Sequence, residues 1–237
     1  MSKRFRHLAL TTLTLLTAAL PPANAARAKP TPAAIKHFEG TATITLTHER
    51  VGTHVLDYSV KTSRLRTEFQ VSEAARAVAI VDLLNDEVLV LLPGQPLYVA
   101  MPLENSAEIA LGHDVDGVTI ERTRSRKKIL GYPCTKYLVR HKRDAFEVWA
   151  TEHLGSFMGL GLSTVPEAKF TAPWMDALLG KGFFPLRVKS LPGSENTLSL
   201  ETLEVKPDSL ADDLFVPPAG YRKFQMGGLI NDLLGCL

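Results

Sequence analysis

From residue 38 onward the chain keeps a period of two: Ala42, Ile44 and Leu46 fall on one side, while Thr41, Thr43, Thr45 and Thr47 fall on the other. Such a period puts successive side chains on opposite faces of an extended strand, and threonine is itself a strand former. The pattern recurs at Leu56, Tyr58 and Val60, and again at Leu65, Phe69 and Val71 opposite Arg64, Arg66, Glu68 and Gln70. Short breaks at 49–53 and 62–63 predict hairpins between these strands. Residues 77–84 and 88–92 are instead almost continuously apolar, as in strands covered on both faces or lining an apolar cavity, with Asn85-Asp86 as the turn between them.

Further strands are expected at 97–101, 117–124, 134–140, 145–151, 186–191 and 197–205, most of them bounded by Gly, Pro or Asp. In the last of these the apolar positions move from even (Leu198, Leu200) to odd (Leu203, Val205), which predicts a β-bulge near Glu201-Thr202. Helical patterns are few. One is 172–179, with Thr171 as N-cap, Pro173 in the first turn and Gly180 closing it; a second, short one is 229–234. There is no internal repeat and no interior Pro/Gly/Ser linker, so one domain is expected over 37–222, followed by a tail at 223–237. About ten successive strands with one helical insertion predict a mainly β, α+β fold: a strongly curved antiparallel sheet forming an open half-barrel, with a helical plug or lid on its concave face.

The N-terminus reads as a secretory signal peptide over 1–25, with Lys3, Arg4 and Arg6, an apolar stretch at 8–20, and Ala23-Asn24-Ala25 as the cleavage site. About 13 apolar residues fall short of the ~20 needed to span a bilayer, so no transmembrane span is expected after cleavage. A flexible leader at 26–36 follows. These features predict a periplasmic or secreted product. Loss of the three leader cations leaves 24 basic against 25 acidic residues, a balance that gives no electrostatic reason for a nucleic-acid partner. In an exported chain Cys134 and Cys236 could pair; the closed loop of about 100 residues would contribute on the order of 4–5 kcal/mol, with two free thiols as the alternative.

No Gly-x-Ser-x-Gly, Ser-x-x-Lys, HExxH or Gly-rich phosphate loop is present, and neither cysteine belongs to a CxxC. No enzyme activity, cofactor or metal is therefore expected; His48 and His54 could meet across the first hairpin, but a metal there is disfavoured. The most basic stretch, from Arg122 to Lys128 and on to Lys136 and Arg140, reads either as a solvated strand face or as an anionic-group site using Arg122, Arg124, Lys136 and Arg140. A Gly-interrupted apolar block holds Phe157, Met158, Trp174, Met175 and Leu178, either a core-filling element or a movable cover over a lipid-sized cavity. Together with Val90, Leu92, Tyr98 and Trp149, these residues are the candidate lining of such a cavity.

Several strings occur together in order: Phe38-Glu39-Gly40-Thr41, Ile129-Leu130-Gly131-Tyr132-Pro133-Cys134, Val148-Trp149-Ala150-Thr151, Gly182-Phe183-Phe184-Pro185-Leu186 and Asp213-Leu214-Phe215-Val216-Pro217-Pro218-Ala219-Gly220-Tyr221. In these the chain resembles the exported family called domain of unknown function 4412, which is similar in turn to the LolA, LolB and RseB lipoprotein-handling folds. The resemblance implies a LolA-like half-barrel around a helical plug, with an apolar concavity that holds acyl chains in the better-known relatives. It assigns no catalytic residue. The closing string reads as an end motif in which Phe215 and Tyr221 pack on the sheet. The function expected is that of a periplasmic protein binding a lipid or lipoprotein acyl chain; the alternative is an envelope protein–protein interaction or stress-sensor module without a small ligand.

Overall fold

Hairpin follows hairpin through the first half of the chain: β1 (Gly40–His48), β2 (Gly52–Lys61), β3 (Arg64–Ser72), β4 (Ala75–Asp82), β5 (Glu87–Leu91) and β6 (Leu97–Pro102). A second run comprises β7 (Val118–Ile129), β8 (Tyr132–His141), β9 (Asp144–Thr151), β10 (Phe184–Ser190) and β11 (Leu198–Pro207). After β11 come a short 3-10 helix, Asp212–Phe215, and the two-residue β12 (Arg222–Lys223). The structure is a computed structural model that describes residues 38–49, 52–72, 75–92, 94–103, 116–160, 175 and 178–224. These all belong to the second of the two units into which the chain divides, residues 34–237.

The twelve strands among the described residues form one sheet in the order β12-β6-β5-β4-β3-β2-β1-β11-β10-β9-β8-β7. The two meanders are joined at their centre by β1 and β11, antiparallel from Gly40 opposite Pro207 to His48 opposite Leu198. Gly40 is required at that seam. Its φ is +141°, and a Cβ there would run into the backbone of Lys206 and Pro207. The β-bulge lies in β11, but one residue beyond its expected place. Thr43 faces Glu204 and Ile44 faces Thr202, so Leu203 is the extra residue and points to solvent.

The sheet curls around one face. Neighbouring strands lie about 4.8 Å apart, so β2 and β10, with β1 and β11 between them, would stand roughly 14 Å apart if flat. Yet the Tyr58 ring on β2 meets the Phe184 ring on β10 edge-on with centroids 5.9 Å apart. Inward residues of both meanders, such as Ile44, Leu56, Leu65, Val139, Val148 and Leu200, share one core with Phe157, Leu160, Leu178 and Phe183 from the 154–183 connection. Of the helix expected at 172–179, only Met175, Leu178 and Leu179 are described, with 175 and 178 helical; a helical lid is not seen among the described residues, and the 229–234 helix lies outside them.

The apolar runs on β4 and β5 have both faces covered. Ala77, Ala79, Val81 and Val88 join the main core, whereas Val78, Ile80, Leu89 and Leu91 form a second cluster with Phe215. After β11 the chain thus crosses the outer face of the first meander. Tyr98, Ala100, Leu210 and Tyr221 complete this outer cluster, and β12 then pairs in parallel with the start of β6. β7 is longer than its expected 117–124. It continues through the basic residues to Ile129, because Leu130 and Gly131, both at positive φ (49° and 82°), make a two-residue hairpin turn there.

Candidate functional site

The nine residues expected to line one cavity fall into separate places. Phe157 and Leu178 are fully buried, Met158 and Met175 nearly so, and all four are core. Phe157 stacks on Tyr58 (6.3 Å) and meets Phe184 edge-on (5.8 Å), while its N–H donates to the Phe183 carbonyl at 3.2 Å. Thr67 on β3 donates its hydroxyl to the Leu160 carbonyl at 2.8 Å, fastening the same segment to the sheet. Val90 packs on this core from β5, and Leu92 is half-buried just beyond. Tyr98 is not with them. It belongs to the outer cluster around Phe215, because it pairs with Leu91, which faces outward. Trp174 lies outside the described residues.

Trp149 is also on the outer face, since its partners in register are Lys136 on β8 and Arg187 on β10, while Phe146, Val148 and Ala150 point inward. Its indole N–H donates to Glu147 Oε1 at 2.6 Å, and the other oxygen of Glu147 takes Lys136 Nζ at 3.1 Å. Lys127 Nζ stands 3.9 Å from the indole centroid and Lys136 Nζ 5.7 Å, both within cation–π range. Burial raises the Glu147 carboxyl, but the indole, Lys136 and Lys127 outweigh it and hold it below the usual carboxylate range. Burial, then Arg187 nearby, lowers Lys127; burial raises the Cys134 thiol. Cys134 pairs in register with Lys127 and is almost wholly covered; among the described residues it has no disulfide partner, and Cys236 lies outside them. The sequence reading missed this cluster. Its signal was parity, since Cys134 and Lys136 on one strand and Glu147 and Trp149 on the next share a face.

A surface cleft of about 440 Å³ adjoins it, bounded by Glu147, Lys189 and the 190–194 turn. The cleft's hydroxyls already hold that turn: Ser190 Oγ donates to the Asn196 carbonyl (2.8 Å), and Ser194 Oγ donates to the Ala145 carbonyl (2.9 Å). No group of three or more His, Cys, Asp or Glu suited to a metal occurs among the described residues. The first hairpin sets His48 opposite Gly52 and His54 opposite Leu46, so the two histidines do not face each other.

The four basic residues singled out from the sequence do not form one anion site. Arg122 pairs with Glu152 (3.1 Å), Lys136 with Glu147 (3.1 Å) and Arg140 with Glu121 (3.3 Å), while Arg124 is exposed. Arg122 lies opposite Tyr137 and points to the core side of the sheet, away from Lys136 and its outer-face partners. What these basic residues share is β7 and its neighbour at the sheet's edge. β7 ends the strand order, most of its residues are exposed, and a bulge between Arg122 and Arg126 interrupts its pairing. That bulge is pinned from within: Thr123 donates to the Lys136 carbonyl (2.9 Å), and Arg126 Nη1 donates to the carbonyls of Thr123 (3.2 Å) and Ser125 (3.3 Å).

The family model described as domain of unknown function (DUF4412) matches residues 38–221, as the local strings implied. Among curated proteins there is no sequence match. Solved structures similar to this chain include PNGF-II in a C2 crystal form, at 16% identity and a TM-score of 0.46 over 82% of this chain and 32% of that one. The P21 form gives 17% identity and a TM-score of 0.45, over 82% and 33%. MucB in complex with MucA(peri) gives 11% identity and 0.41, over 80% and 57%. The chain thus spans about a third of PNGF-II and little more than half of MucB.

Proposed function

The chain belongs to the DUF4412 family, and from that premise we propose that it is an exported envelope protein that acts by binding a protein partner along the free edge of its sheet, without catalysis. Export is read from the signal-like residues 1–25; no helix among the described residues is long and apolar enough to cross a membrane. One observation carries the interaction reading. The inner face is packed with the chain's own Phe157, Leu160, Leu178 and Phe183, while the twelve-residue β7 keeps an exposed strand edge. Unpaired edge groups are a template for another strand, and adding a strand is a common mode of peptide recognition.

A hydrophobic ligand under the 154–183 segment, a lipid or a lipoprotein acyl chain, is the second reading, and Tyr58 favours it. Its hydroxyl is fully buried against the Met158 backbone without a hydrogen bond of ordinary geometry. Such a group costs about 1–3 kcal/mol, the kind of misfit that a displaceable cover leaves behind. Native mass spectrometry of the protein isolated from its own periplasm, with and without prior cross-linking, separates the two. A stoichiometric polypeptide adduct is expected. A bound lipid or acylated peptide with no polypeptide partner would overturn the interaction reading.

A further inference from the structure

Resting on the interaction reading, we infer that the occupant of the β7 edge is an extended acidic polypeptide whose carboxylates recur at every second position. Within seven residues β7 carries Arg122, Arg124, Arg126, Lys127 and Lys128, against the single acid Glu121 anywhere on the strand, which is itself paired with Arg140. Among the described residues no carboxylate lies within ion-pair distance of Arg124, Arg126 or Lys128. A charged edge is also the ordinary guard against aggregation, and a bulge is another. Both devices refuse a neutral strand: the cations lose hydration without compensation, and the bulge between Arg122 and Arg126 denies a long unbroken ladder. The charge refusal is lifted when an incoming strand brings matching acids, so that guard doubles as the specificity element, while the bulge limits the ladder to the stretches on either side of it.

The register says where the acids fall. Arg122 and Arg126 stand opposite the buried Tyr137 and Thr135, and so project on the core side of the sheet; Lys128 follows two residues on. Lys127 stands opposite Cys134 and is turned to the outer face, over the Trp149 ring. A strand laid along β7 also alternates, so its core-side positions meet Arg126 and Lys128 directly and compete with Glu152 for Arg122. Its outer positions meet Thr119, Glu121 and Lys127, a face with little net charge. Acid at alternate positions therefore fits, whereas a block of consecutive acids sets half of them beside Glu121's side of the strand.

The test uses the full mature chain and fluorescein-labelled twelve-residue peptides in an anisotropy titration: alternating Glu-Val, alternating Gln-Val, and the Glu-Val composition rearranged into an acidic block and an apolar block. The alternating acidic peptide is expected to bind best, and to weaken steeply as salt rises from about 0.05 to 0.5 M, where screening shortens the reach of each charge. K128E, which leaves the Arg126 pin of the bulge in place, is expected to weaken it several-fold and R126E/K128E about tenfold or more, with R126Q/K128Q between; circular dichroism verifies that the fold is intact. Equal binding of the Gln peptide would overturn the acidic assignment while leaving edge binding in place. So would unchanged binding to R126E/K128E. Saturable binding to phosphatidylglycerol vesicles through the same residues, with no peptide bound, would overturn it in favour of a membrane surface. No peptide bound, together with lipid as the only cargo in the native mass, would show that the interaction reading itself had failed.

Discussion

The two arms of the sheet cover their outer faces in different ways. On the first meander, β4 and β5 present Val78, Ile80, Leu89 and Leu91 outward, and the returning chain seals them with Phe215, itself only 1% exposed. On the second, the ammonium groups of Lys127 and Lys136 rest over the Trp149 indole, 3.9 and 5.7 Å from its centroid, and the buried Cys134 stands in register with Lys127. The first cover is a separate piece of backbone whose Phe215 is sealed by apolar burial, with Lys61 donating to the Leu210 carbonyl and Arg66 to the Leu214 carbonyl (3.1 Å) at its margin. The second is built from side chains of the sheet and held by charge and polarised hydrogen bonds. A cover whose centre is an apolar ring is released as a unit and depends little on salt and pH; one of the second kind loosens gradually with both.

The largest expected effect breaks the first cover. Phe215→Ala removes a ring that the strap buries fully in the outer cluster, beside the half-buried Leu210 and Tyr221, and is expected to cost about 3–5 kcal/mol in urea unfolding. Dye binding to the exposed Ile80 and Leu91 surface should rise in the same variant. Removing Leu203, on the bulge and half exposed, is the matched control and should change stability by less than about 1 kcal/mol.

On the second arm, Trp149→Phe keeps most of the apolar cover but deletes the indole donor to Glu147, and is expected to cost about 1–2 kcal/mol by the same measurement. Glu147 makes this loss depend on pH. Because its carboxyl titrates below its unfolded value, it stabilises the fold above the usual carboxylate range, about pH 4.3, and that contribution disappears as pH falls through the lower folded value. Glu147→Gln should therefore be less stable than the parent at neutral pH, with the gap closing under acid. A gap that stays constant from pH 7 to pH 3 would mean that packing, not ionisation, holds this cover.

How far each arm can be read from sequence follows from the same contrast. The apolar runs at 77–84 and 88–92 allow either double coverage or a cavity wall, and the first holds; the Phe215–Tyr221 string reads as an element that packs on a sheet, and does. That they are the two sides of one contact is not local information. It follows from β1 and β11 closing the sheet at its centre, which delivers the chain to the back of the first meander. Tyr98 lies on the face opposite to the expected one because β5 and β6 are apolar on both sides, so their pattern carries no phase. Trp149 is the opposite case: its strand has a clear phase, with Glu147 on the same side, and that parity sets the ring on the outer face. The core-filling role of Phe157 and Leu178 was one of the two outcomes the apolar block allowed, and which of them holds depends on Tyr58 and Phe184 meeting them across the curl.

The smallest expected effect sharpens the comparison by asking whether charge contributes to the first cover as well. Asp212 opens the 3-10 turn before Phe215 and faces Lys61 at 3.1 Å and Arg64 at 3.5 Å, but its side chain is 74% exposed. An ion pair so open to water gains little over its hydrated parts, so Asp212→Ala should cost no more than about 0.5 kcal/mol and lose even that in high salt. Arg64 keeps its second partner, Asp82, at 3.1 Å, and Asp82 caps the Leu84 and Asn85 amides, so the removal leaves no buried charge unpaired. A cost approaching that of Phe215→Ala would show the strap to be fastened electrostatically, and the two arms would then differ in the length of the covering element rather than in the force that holds it.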